Sequence, residues 1–236
     1  GTDNVAIGRL ALSASPDGVS NIAIGLSALA VSDGVADCNI AIGLSALGGA
    51  DVSGLSNIAI GSLAMDALTS GICNVAIGAN AAGALTTGCR NVAVGQEAMG
   101  NGVVTGINNV AIGTITINSL TSGSCNVGIG MCALGELTTG CKNIAIGELA
   151  MGASVVTGVD NIAIGTTSLD ALLGGTNNIA LGLNAGGAVT SGSFNIAIGN
   201  GAGVGVTSQG NTLNIGCGAN QTGAGIACIV ATCLMS

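Results

Sequence analysis

The chain has no histidine, tryptophan or tyrosine, one phenylalanine and one proline. The missing histidine excludes Ser-His-Asp and Cys-His nucleophilic arrangements and every His-ligated metal site. Without aromatics, the core of a 236-residue chain must be filled by Ile, Val, Ala and Leu. Such small, mostly branched side chains suit thin, layered packing. Charge is scarce too: 6% of residues are charged, three basic against eleven acidic, for a net charge of -8. That balance opposes phosphate backbones, so no nucleic-acid partner is expected. The longest strongly apolar stretch, 226–235, is too short to span a bilayer, so no membrane span is expected. The opening Gly1-Thr2-Asp3-Asn4 carries no signal peptide and reads as a mature fragment or a piece of something longer. With a mean hydropathy of +0.77 and so little charge, much of the exterior is expected to be buried against other chains or another surface.

What is present is repetition. The motif Asn-[Val/Ile]-Ala-Ile-Gly begins at Asn4, Asn21, Asn39, Asn57, Asn74, Asn91, Asn109, Asn126, Asn143, Asn161, Asn178 and Asn195, with small variations at Val94, Gly128 and Leu181. A degenerate thirteenth copy runs Thr212-Leu213-Asn214-Ile215-Gly216, and every step is 17 or 18 residues. So regular a period predicts a solenoid in which each unit is one coil. With the motif Asn as position 0, the motif alternates at period two like a short strand. A small-large pair follows at +7 and +8, as in Ala28-Leu29, Ala64-Met65, Ala98-Met99 and Ala133-Leu134, and supplies a second inward anchor. A third segment, such as Leu85-Thr86-Thr87-Gly88 or Leu137-Thr138-Thr139-Gly140, ends in a Gly suited to a positive-φ corner.

The pattern predicts an all-β parallel β-solenoid of about 13 coils, about three short strands per coil, over 1–216, with 217–236 as a C-terminal capping or continuation segment. Twelve steps at about 4.8 Å give a rod of roughly 58 Å. Turning Val and Ile outward would expose about two dozen β-branched side chains, each worth roughly 1.5–3 kcal/mol when buried. They are therefore expected inside, with the Ala column outside as a flat surface for close approach by another chain. The Asn column is expected at a corner, bonding to backbone or to the next Asn. A longer period overlies the short one: residues 88–114 match 140–166 almost position for position, at an offset of 52, and 74–91 match 126–143 in the same way. Growth by duplication of three-coil blocks favours length over a unique pocket.

The Asn-[Val/Ile]-Ala-Ile-Gly units, followed by a small residue and Leu, resemble the YadA-like head repeats of trimeric autotransporter adhesins and related phage and viral tail-fibre repeats. The resemblance covers residues 4–216, although the coil here is longer than that family's usual one. It implies a left-handed parallel β-roll, side-by-side packing as a homotrimer, and a surface-exposed adhesive fibre, extracellular or on a cell or virion surface, that meets a host receptor or glycan.

Nine cysteines stand apart from that pattern. They could be small buried hydrophobes. Their placement favours bonding: Cys73 and Cys125 immediately precede a motif Asn, while Cys89 and Cys141 lie two residues before the next one. The third copy of the block has Asn177 and Ser193 there, so both members vanish together. Disulfides Cys73–Cys89 and Cys125–Cys141, and hence an oxidising destination, are expected. Cys38, Cys132, Cys217, Cys228 and Cys233 remain, an odd number.

No catalytic, cofactor-binding or metal-ligating set emerges, and an enzyme is not expected. Asp66, Glu97, Glu136 and Glu148 are dispersed singly, as solubilising charges would be. Gly199-Asn200-Gly201-Ala202-Gly203 lacks the lysine of a phosphate loop and lies within the repeat register. Asn220-Gln221-Thr222 is a sequon, or more simply a polar turn. The main expectation is a structural or adhesive fibre. The alternative is an ice-binding solenoid, prompted by the column Ser53, Ser70, Thr87, Thr105, Ser122, Thr139, Thr157, Ser191 and Ser208. Against it, adjacent residues such as Thr86 and Thr87 would point to opposite sides of a strand.

Overall fold

The structure, a computed structural model, describes residues 1–14, 17–32 and 36–218. It is an all-β parallel solenoid. Thirteen three-residue strands carry the motif: β1 Val5–Ile7, β2 Ile22–Ile24, β3 Ile40–Ile42, β4 Ile58–Ile60, β5 Val75–Ile77, β6 Val92–Val94, β7 Val110–Ile112, β8 Val127–Ile129, β9 Ile144–Ile146, β10 Ile162–Ile164, β11 Ile179–Leu181, β12 Ile196–Ile198 and β13 Leu213–Ile215. They form one sheet in sequence order. Each strand pairs parallel and in register with the next, as in Val92↔Val110, Ala93↔Ala111 and Val94↔Ile112. The candidate cap 217–236, the sequon and Cys228 and Cys233 lie, apart from Cys217 and Gly218, outside the described residues.

Each coil has one strand, not three. Elsewhere only isolated bridges occur among the described residues, such as Leu85↔Val104 and Leu137↔Val156. The reason is conformational: positions -1, +6 and +8 of successive coils sit in the left-handed region, as at Arg90 (φ 57), Glu97 (φ 55) and Met99 (φ 50). No extended run survives three such reversals. The backbone still bonds from coil to coil: Arg90 N–H donates to the Ile72 carbonyl at 3.0 Å, Glu97 N–H to Ala79 at 3.0 Å, and Met99 N–H to Thr116 at 3.0 Å.

Left-handed backbone costs a non-glycine residue roughly 1–2 kcal/mol. At +8 the side chain offsets that cost. Leu29, Leu47, Met65, Met99, Leu134 and Met151 are completely buried, and burial of such a side chain is worth about 1.5–3 kcal/mol. The expected small-large inward pair is therefore present, with the large member held in a conformation usually left to glycine.

The strand parity is the reverse of the expectation. Ala23, Ala41, Ala59, Ala76, Ala93, Ala111, Ala145, Ala163 and Ala180 are fully buried, whereas Ile112 and Ile164 are each 40% exposed. Val110 is half-buried. Two physical facts account for this. The inward space across from the strand is already filled by the +7 and +8 pair, so it admits little beyond a methyl group. A Cβ added to Gly128, which replaces Ala in β8, would lie 2.8 Å from Thr116 Cγ2 and 2.9 Å from Ile117 Cγ1. In addition, stacking shields the outward branched side chains: in the end coil Ile7 is 59% exposed, against 40% for Ile112 between neighbours. Outward placement thus costs well under the full transfer value.

The corner glycines also act differently from the expectation. Gly88 has no positive φ; the left-handed residue of that corner is Arg90. What Gly88 provides is close approach, since a Cβ there would lie 2.5 Å from the Gly106 carbonyl oxygen, 2.7 Å from Leu85 Cδ1 and 2.9 Å from Asn91 Nδ2. Positive φ belongs instead to the last motif residue, as at Gly95 (φ 133), a region essentially closed to other residues.

Candidate interaction faces

The Asn column lies inside the rod, where Asn39, Asn57, Asn109, Asn126, Asn143, Asn161 and Asn178 are fully buried. It forms the ladder expected of it. Asn74 N–H and Nδ2 both donate to Asn57 Oδ1 at 3.0 Å, and Asn74 Nδ2 also donates to the Gly88 carbonyl of the following coil at 2.9 Å. The same three contacts recur at Asn126 and Asn178. At these three positions both amide hydrogens and the amide oxygen are used within the wall, so each such Asn ties three coils together. At the thirteenth coil Thr212 takes the Asn place, its hydroxyl donating to Asn195 Oδ1 at 2.7 Å.

The sheet's outer face is what this inward ladder leaves exposed. With Asn inside at 0 and Ala inside at +2, positions +1 and +3 must face out. They form two uninterrupted columns of Val, Ile and Leu across β1–β13. Ile60, Ile77, Ile112, Ile129, Ile146, Ile164 and Ile198 are exposed by 36–40%. None of the 26 outward strand residues is charged or polar. Sequence reasoning missed this face; the signal available was the invariably polar residue at 0, whose burial fixes the parity of the rest.

The Ser/Thr column behaves as an exposed row. Ser53, Ser70, Thr87, Thr105, Ser122, Thr139, Thr157, Ser191 and Ser208 are all exposed. Thr86 and Thr87 differ as expected, although no strand runs there. Thr86 is half-buried and its hydroxyl donates to the Val104 carbonyl at 3.3 Å, leaving Thr87 in solvent. Thr121 and Thr138 occupy equivalent places, and Thr121 Oγ1 donates to the Thr138 carbonyl at 3.0 Å.

The expected disulfides are absent: Cys38, Cys73, Cys89, Cys125, Cys132, Cys141 and Cys217 are all free. At the Cys125–Cys141 corner the reason is visible. Cys125 is left-handed (φ 61) and exposed, while Cys141 Sγ turns back to donate to the Thr139 carbonyl and accept from Ser124 N–H, each at 3.4 Å. Cys89 Sγ likewise donates to the Thr87 carbonyl at 3.4 Å. Among the described residues no group of three or more His, Cys, Asp or Glu is placed to hold a metal. No helix among them is long and apolar enough to cross a membrane.

The carboxylates stay dispersed. Asp66 and Asp170, 104 residues apart in sequence, share position +9, and burial pushes both up from the usual carboxylate value against the opposing effect of hydrogen bonds from their own and the next backbone N–H. Asn118 occupies the equivalent place midway between them, with Oδ1 buried and lacking a hydrogen-bond partner.

Comparison with protein-family models, curated proteins and solved structures finds no match to this chain. Its geometry defines the class: a tandem-repeat, all-β parallel β-solenoid.

Proposed function

We propose that the chain is a structural or adhesive fibre segment that works as a side-by-side homo-oligomer, most simply a trimer, on an extracellular, cell or virion surface. The observation that supports this reading is the sheet face, two columns of branched aliphatic side chains running the length of the rod without a charge. A face of that extent promotes association in water. Repetition serves a rod, where length and uniform surface matter more than a unique pocket. The Ala column does not form the contact surface, because Ala111 and Ala163 are fully buried; the surface is built by Ile112, Ile164 and their equivalents.

Light scattering on the purified segment tests the reading. The unmodified protein is expected to be a defined oligomer at micromolar concentration. Ile112→Glu with Ile164→Glu is expected to give a folded monomer. Ala111→Glu, which places a charge in the core, is expected to disrupt the coil itself. A soluble unmodified monomer sinks the fibre reading. The exposed Ser/Thr row then favours a solvent-facing role, and thermal hysteresis of that monomer is the measurement for ice binding.

A further inference from the structure

The sheet face is apolar, but its two borders are not. Position -1 precedes each strand and positions +5 and +6 follow it. All three basic residues of the chain lie at these borders, and each has an acid at the opposite border of its own coil. In the coil of β1 the pair is Asp3 before the strand and Arg9 after it. In the coil of β6 it is Arg90 before and Glu97 after, and in the coil of β9 Lys142 before and Glu148 after. Glu97 is half-exposed and the other five are exposed. Among the described residues none of the three bases forms an ion pair.

Resting on the reading that the sheet face is a self-association surface, we infer that the partner is a second copy of this chain, parallel and in register, with the leading border of one sheet against the trailing border of the next. Rotation about an axis parallel to the rod brings each coil to its own height in the neighbour. Asp3 then meets the neighbour's Arg9, Arg90 its Glu97, and Lys142 its Glu148. The sign order in the β1 coil is opposite to that in the other two, yet all three pairs remain complementary, because only the two ends of one coil need to match. An antiparallel arrangement sets leading border against leading border and brings different coils to one level, so it loses all three. Apolar columns with a one-coil repeat are indifferent to sliding by about 4.8 Å. The charges, which occur at three unequally spaced coils, supply the register that the aliphatic face cannot, in the way that rim charges fix register elsewhere. Asp160 is a border acid with no base opposite; Thr166 stands there.

Light scattering across salt and zero-length carbodiimide coupling test this on the intact segment. Arg90→Glu with Lys142→Glu is expected to weaken association roughly tenfold at low salt and less at high salt, where such pairs are screened. Adding Glu97→Lys and Glu148→Lys to the same chain is expected to restore it, and Thr166→Lys in the unmodified chain to strengthen it. In a mixture of isotopically light and heavy copies, carbodiimide is expected to join Lys142 of one copy to Glu148 of another. If the unmodified chain associates but ignores these reversals, or if Lys142 couples between copies only to acids of distant coils, the register inference is overturned while self-association stands. If the unmodified chain is monomeric, the sheet-face reading itself falls.

Discussion

Replacing Asn109 by Ala probes the interaction that ties neighbouring coils together. The Asn109 side chain makes four hydrogen bonds. Its Nδ2 donates to Asn91 Oδ1 at 3.1 Å and to the Gly123 carbonyl at 2.9 Å, and its Oδ1 accepts from Asn126 N–H and Asn126 Nδ2, both at 3.0 Å. Truncation does not orphan all the partners. Asn91 Oδ1 keeps the Asn109 backbone N–H at 2.9 Å, and Asn126 Nδ2 keeps the Gly140 carbonyl at 2.8 Å. The Gly123 carbonyl and the Asn126 N–H lose their partner in a wall that water does not reach. Each unsatisfied buried group costs about 1–3 kcal/mol, so the loss should be about 2–6 kcal/mol. In a stacked array that cost is local, so the assay is amide hydrogen exchange read coil by coil, with exchange at Asn126 and in β7 and β8 accelerated most. Asn4→Ala is the control: Asn4 is half-buried in the end coil, and among the described residues its side chain bonds to the Gly18 carbonyl and the Asn21 N–H. An Asn109→Ala loss below about 1 kcal/mol, or one no larger than that of Asn4→Ala, would refute the claim that the ladder holds the coils together.

Two further substitutions follow from packing and charge. Gly128→Ala is expected to destabilise by about 1–3 kcal/mol, because its methyl meets Thr116 and Ile117; Thr116→Ala with Ile117→Leu, which installs the pair seen at Ala28-Leu29, Ala46-Leu47 and Ala133-Leu134, should recover the loss, as denaturant midpoints will show. Asp66→Asn and Asp170→Asn are expected to stabilise the rod at neutral pH. Burial raises both carboxyls in the fold, so the native state holds those protons more tightly than the unfolded chain. Stability therefore falls as pH rises through the interval between the unfolded and folded values, and the deficit persists above it. The gain from Asn should vanish below the carboxylate range, and melts at the two pH extremes decide it.

The sequence made the solenoid legible because the repeat constrains nearly everything at once. Position 0 recurs at 17 or 18 residues, so identical residues must stack, and the parallel in-register sheet follows. The +7 and +8 pair was legible for the same reason: a small-large alternation kept through coil after coil has no use on a solvent face. Strand count and corner chemistry were not. Nothing in Leu47, Met65 or Met99 announces a left-handed backbone, because propensity assigns that conformation to glycine, and only the tightness of the coil imposes it. The cysteines misled because a separation of 16 residues brings two positions to one corner without fixing where their sulfurs point.

The reversed parity has the most functional weight, and it follows from a comparison of costs. Counting outward Ile and Val as lost burial overstates their cost, because neighbours in the column already cover more than half of a side chain such as Ile112. Placing them inward would turn Asn109 and its equivalents outward, and each Gly carbonyl and Asn N–H of the corner would lose the partner it now has. At about 1–3 kcal/mol per orphaned group, two groups per coil outweigh the residual exposure of two branched side chains that stay more than half covered. Polar satisfaction inside the wall thus decides which way the aliphatic residues face. The face they create is the one on which the proposed assembly rests, so the polar residue that looks least functional in the repeat is the one that builds the interaction surface.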